Sequence, residues 1–297
     1  MRRIVVLLAL VLVPSAAAGG SQIDLAVRGA HVFVVGDAGF RELDAATGRT
    51  VWAPTPVDAW YDVSVDVAGG AAWIARLTNG SATGEVVRVD LRTRVSRIVL
   101  RVTDGAPFSV AHGAGAVYAL LGRGRRTGIV RLSTSGRITG RWRIPDAGRM
   151  TADDEGCWIS GDGRLLHIDT SGRLSVAAHV PFGDVAAGSG AVWIALRSEL
   201  IRFDEQTRAV RAFSTTHLGL GGFQHDLAVD DGYLWTLGTG ALERRDLRTG
   251  RVLQARQVPR IADTVAVTPT AVWVGTTQRI LRLDPRTLKT TLRVAVS

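Results

Sequence analysis

Cysteine is almost missing from this chain: Cys157 stands alone among 297 residues, which excludes an intrachain disulfide and any metal site built from several thiolates. Lysine is as scarce, with Lys289 set against 35 arginines. The arginines are spread along the chain rather than gathered on one stripe, and this dispersion reads as a compositional bias. No apolar run reaches the ~20 residues that a membrane-spanning helix requires. HExxH, a nucleophile elbow and a phosphate-binding loop are all absent, as are the motifs by which proteins read nucleic acid. Nucleic acid is therefore not the expected partner, despite a formal net charge of +9. Apolar residues at 46% and charged residues at 21% are ordinary for a globular protein and exclude a disordered or collagen-like chain.

What is present begins with a leader-like segment. Met1-Arg2-Arg3 precedes ten apolar residues, Ile4 to Val13, then Pro14 and the small-residue run Ser15-Ala16-Ala17-Ala18-Gly19. This is the layout of a secretory signal, so residues 1–18 are expected to be removed by cleavage after Ala18. Without a twin-arginine context, Sec-type export to an extracytoplasmic or secreted location follows. No cysteine comes after the apolar run, so the mature chain is not expected to be a lipoprotein, and no membrane span remains in it.

The remainder is a repeat. An aromatic in a short apolar run recurs seven times, at Phe33, Trp73, Tyr118, Trp158, Trp193, Trp235 and Trp273, with a mean spacing of 40 residues. Eleven residues later stands an acid, Asp44, Asp169, Asp204, Asp246 or Asp284, with Asp90 and Ser133 filling the place in units two and three after longer insertions. Several open an Asp-x-x-Thr turn, whose side-chain oxygens can accept the free amides of a tight bend, so these acids read as turn formers rather than catalysts. Two residues before each comes a long polar side chain: Glu42, Arg88, Arg131, His167, Arg202, Arg244 and Arg282. Recurrence at one position suggests inter-blade ion pairing or a solvated edge. Each unit divides into four short runs with period-two patterning and turn chemistry between them, the mark of antiparallel strands. The expectation is an all-β, seven-bladed β-propeller filling residues 19–297 as a single domain, with blades at about 22–53, 61–101, 107–143, 148–178, 183–214, 224–256 and 262–296. Each blade is then contiguous in sequence, and the ring must close by packing of blade seven on blade one. The repeated aromatics, and Cys157 beside Trp158, belong to the core.

These units resemble those of bacterial exported seven-bladed propellers of the YVTN and streptogramin-lyase-like kind. Blade one, Leu43-Asp44-Ala45-Ala46-Thr47-Gly48-Arg49-Thr50-Val51-Trp52, also resembles the tryptophan-docking repeat of quinoprotein-type propellers. The resemblance implies the fold; it is carried by structural residues and says little about activity.

Aligning the units on the aromatic exposes a ring. Nine residues before it stand Asp24, Ser64, Ser109, Arg149, Asp184, Asp226 and Thr264, polar in all seven units. The next position is always apolar, and the third is mostly alanine, with Asp66 and Thr151 as exceptions. Strand alternation places the polar set toward the axis at a channel mouth, making these seven the candidate ligand-binding residues. The rim is polarised. Asp184, Asp226, Asp263 and Asp24 form an acidic arc, while Arg149 and the Arg123, Arg125, Arg126 group form a basic one. Asp24, Asp184 and Asp226 are candidate oxygen ligands for a divalent cation; no other cofactor is expected. Two longer loops, 54–61 with Trp60 and Tyr61, and 214–225 with His217 and His225, flank the mouth. The leading functional expectation is an exported, non-catalytic binding propeller that offers this face to a protein, a cell-wall component or a small ligand. The alternative is a lyase or hydrolase in which His217 and His225 work with the acidic mouth.

Overall fold

The computed structural model describes residues 23–36, 39–53, 61–77, 83–103, 105–123, 126–196, 199–214, 226–230, 232–238, 240–259, 261–276 and 278–296. The signal segment expected at residues 1–18 lies outside them, as do His217 and His225. Among the described residues every helix or strand is a strand, and the strands form seven four-stranded antiparallel sheets, each from four consecutive segments. Blade five shows how sequence sets the layers. Its inner strand Asp184–Gly188 is half-buried, the second strand Ala191–Ala195 is wholly buried, the third, Glu199–Asp204, alternates, and the outer Val210–Ser214 is mostly exposed. The all-apolar run AVWIA thus occupies the one layer covered on both faces and both edges.

The turn acids act as their spacing implies. In blade five, Asp204 Oδ1 accepts the Thr207 amide at 2.8 Å and the Thr207 hydroxyl at 2.9 Å, and blades one, six and seven repeat the arrangement at Asp44, Asp246 and Asp284. In blade three Ser133 Oγ takes over, accepting the Arg137 amide at 3.1 Å. These hydrogen bonds hold all four carboxyls below their ordinary range, Asp204 at about 2.

The seven aromatics are fully buried or nearly so, and loss of one such indole would cost about 3–5 kcal/mol. Sheet register pairs each of them directly with the long polar residue of the third strand, from Phe33 with Glu42 to Trp273 with Arg282. The expected ion pairing between blades is found at Glu42, which pairs with Arg94 of blade two; other members of the row add a contact with the aromatic ring. His167 stacks on Trp158 with centroids 3.8 Å apart and planes at 11°, and the guanidinium groups of Arg88, Arg131 and Arg282 lie over Trp73, Tyr118 and Trp273 at 5.8, 6.0 and 5.9 Å. Two of the arginines reach the next blade by donating to carbonyls, Arg88 to Thr134 O at 3.0 Å and Arg244 to Pro285 O at 2.6 Å. The cation is thus a lid on the aromatic as well as a tie between blades.

Inner strands neighbour one another around the ring, and the first, Ile23–Arg28, meets the last, Ala262–Thr268. Among the described residues no strand is exchanged across that seam. Leu25, Val34 and Leu43 of blade one share a core with Trp273 and Ile280 of blade seven. Gly48 permits this approach: at φ +69°, a Cβ there would lie 2.5 Å from Val294 Cγ2.

Candidate channel site

The inner strands surround a channel of about 580 Å³. Five of the seven ring residues line it: Asp24, Ser64, Ser109, Asp226 and Thr264. Arg149 and Asp184 stand outside this lining and form an ion pair with each other between blades four and five. The basic and acidic arcs therefore neutralise each other where they meet. The side chains of Arg123, Arg125 and Arg126 lie outside the described residues.

The remaining carboxylates line the channel but do not spend their oxygens on its axis, contrary to the simple alternation reading. An inner strand pairs with a neighbour on one edge only. Every second amide on the other edge faces the channel and needs an acceptor. Asp24 supplies it twice, accepting its own Leu25 amide and the equivalent Val65 amide of blade two, both at 2.8 Å. Asp226 does the same for Leu227 at 2.9 Å and Val265 of blade seven at 2.6 Å. Ser64 accepts the Val110 amide of blade three at 3.2 Å. These side chains are blade-to-blade clamps.

Asp66, set aside as an exception in the alanine row, is a third carboxylate clamp: it accepts the amides of Val67 at 2.6 Å and His112 of blade three at 2.5 Å. The departure from alanine was the available signal. Arg28 and His112 complete a polar lining further down the same wall.

Thr264 joins two clamps. Its buried hydroxyl lies 3.0 Å from Asp24 Oδ1 and 3.0 Å from Asp226 Oδ2, while the Ser64 hydroxyl approaches Asp24 from the other side. Burial raises the carboxyls of Asp24 and Asp66 against the pull of these hydrogen bonds. Asp226 is pushed up to about 7 by burial, reinforced by the charge of Asp24. The three carboxylates considered for a cation do not converge, since Asp184 is turned to Arg149 while Asp24 and Asp226 meet through Thr264. Among the described residues no group of three or more His, Cys, Asp or Glu is placed to hold a metal ion. The described lining sets the hydrogen-bonding side chains of Asp24, Ser64, Asp66 and Thr264 beside apolar ones such as Val65, Val110 and Met150.

No family model and no curated protein matches this sequence. Solved structures do match in fold. AztD from Citrobacter koseri, in an apo form, is 13% identical over 93% of this chain and 86% of its own, with a TM-score of 0.60. BamB from Moraxella catarrhalis is 16% identical over 87% and 82%, with a TM-score of 0.57. Hsv2 from Kluyveromyces lactis is 10% identical over 94% and 100%, with a TM-score of 0.66. At such identities the likeness is one of fold, and it places the chain among β-propellers with four antiparallel strands to each of seven blades.

Proposed function

We propose that this chain is an exported binding propeller without chemistry of its own, offering its channel mouth and the loops of that face to a protein, a cell-wall component or a small ligand. The observation that carries this reading is the use of the mouth carboxylates: Asp24 and Asp226 accept backbone amides and Asp184 pairs with Arg149, so these acids frame the channel. Export is supported by the basic start, apolar run and small-residue site of residues 1–18, and by the resemblance of the repeats to YVTN-type propellers of exported bacterial proteins. A photo-crosslinking residue placed at Ser109, on the channel lining, tests the reading against one at Leu174 on the outer strand of blade four. Adducts with an envelope protein or with labelled peptidoglycan fragments should form from position 109 and not from 174. Equal labelling from both positions would count against a mouth-directed function.

The lyase or hydrolase reading keeps one specific support. Asp226, pushed up to about 7, has the proton affinity of a general acid or base at neutral pH, and His225 precedes it in sequence. Alanine variants of His217 and His225 that bind peptidoglycan fragments as the parent does, with no change in any product formed, would remove that support.

A further inference from the structure

The Thr264 hydroxyl carries one proton, yet it stands 3.0 Å from oxygens of two different carboxyl groups. A hydroxyl can donate to only one of them; the second contact is a hydrogen bond only if that carboxyl brings a proton of its own. The donors decide which. Asp24 is approached by the Leu25 and Val65 amides, by Thr264 and by Ser64, the surroundings of an ionised carboxylate. Asp226 has the Leu227 and Val265 amides, and its third contact is the oxygen whose proton Asp24 already takes.

We propose that the channel mouth holds a structural proton on Asp226, donated to Thr264, which in turn donates to Asp24, so that one hydrogen-bonded relay fastens blades six, seven and one across the closing seam. Deprotonation leaves two carboxylates facing one hydroxyl and loosens the fastening. The groups that face Asp226 from the packed elements are acidic or neutral. Asp184 stands on the inner strand of blade five, Thr264 on that of blade seven, and Asp24 on that of blade one. Arg149, a group of opposite charge on this rim, is committed to Asp184. Burial and the neighbouring Asp24 charge hold the Asp226 proton up to about 7, so release falls in the neutral range. The folded state then binds a proton that the unfolded chain has lost, and stability must fall as pH rises through that range.

Two measurements on the full mature chain test this. Infrared spectra with labelled aspartate should show one protonated carboxyl at pH 6 that disappears by pH 8.5 and is missing in Asp226→Asn. Thermal unfolding of the parent should drop by roughly 5 °C over the same interval, whereas Asp226→Asn, neutral throughout, should be flatter and more stable than the parent at pH 8.5. Thr264→Ser should retain the titration. A parent in which all carboxyls ionise below pH 5.5, or an Asp226→Asn variant with the same pH profile as the parent, overturns the proposal. The infrared titration of the parent decides even if a variant fails to fold.

Discussion

Aspartate does two jobs in this ring, and the contrast between them is instructive. At the outer turns Asp44, Asp90, Asp204, Asp246 and Asp284 accept amides two and three residues ahead in their own loop. At the channel Asp24, Asp66 and Asp226 accept amides from two successive blades. The bonds have similar lengths and the acceptor is the same group, yet the carboxyls of the first set are lowered and those of the second raised. Solvation makes the difference. At an exposed turn, water supports the charge and the amides add to it; at the channel wall, burial removes more than the amides return.

The comparison can be broken most severely at the channel. Asp24→Ala leaves the Leu25 and Val65 amides without their acceptor and turns the Thr264 hydroxyl to Asp226, and should cost about 3 kcal/mol in denaturant unfolding; a loss below about 1 kcal/mol would mean that water replaces the clamp. Next in size is the pH profile. Because the Asp226 carboxyl is raised, its contribution is fully present below its unfolded value and lost as pH rises through about 7, a fall of about 2 kcal/mol between pH 5 and 8. The turn acids have the opposite sign: Asp90 and Asp204, lowered to about 2, contribute above their unfolded value and lose that contribution as pH falls through about 2. Urea midpoints should therefore peak near pH ~4 and decline on both sides; a plateau from pH 5 to 8.5 would contradict the channel half of the contrast. The Arg149–Asp184 pair comes third. It is half-exposed on the arginine side, so Arg149→Ala should cost less than about 1 kcal/mol and less still at high salt. Smallest is Asp204→Asn. Its amide oxygen can still serve Thr207 but carries no charge, so the unfolding midpoint should fall slightly near neutral pH and the difference should close as pH drops through about 2, where the parent carboxyl is protonated too.

Much of this was legible in the residues. The aromatic period, the turn acids and the polar ring at Asp24 and its equivalents all follow from spacing, because core, turn and channel mouth recur once in every blade. The direction of the ring side chains was not legible. Alternation distinguishes two faces of a strand, but an inner strand has a third exposure, its unpaired edge, and Asp24 and Asp226 answer that edge. Asp66 was hidden for the same reason, since a pattern dominated by Ala26, Ala111, Ala186, Ala228 and Ala266 describes how tightly the strands approach and is silent on stray amides. The stacking of Arg88 on Trp73 needs strand register, which counting along one strand does not supply. Nor could the shared hydroxyl of Thr264 be read, because it depends on two contacts separated by 240 and 38 residues.

A ring without an exchanged strand invites the thought that it parts where the chain begins and ends. The relay places Asp226, Thr264, Asp24 and Ser64 in one line, the last reaching the Val110 amide of blade three, and so buckles the joint between the termini from both sides. Between blades five and six, the described side-chain hydrogen bond is that of Ser189 to the Asp230 carbonyl, at 3.4 Å, set on a small apolar contact around Trp193 and Leu227. The ends of the chain are therefore held by polar clamps of the same kind as those that join successive blades elsewhere, Ser64 to blade three and Asp66 to His112.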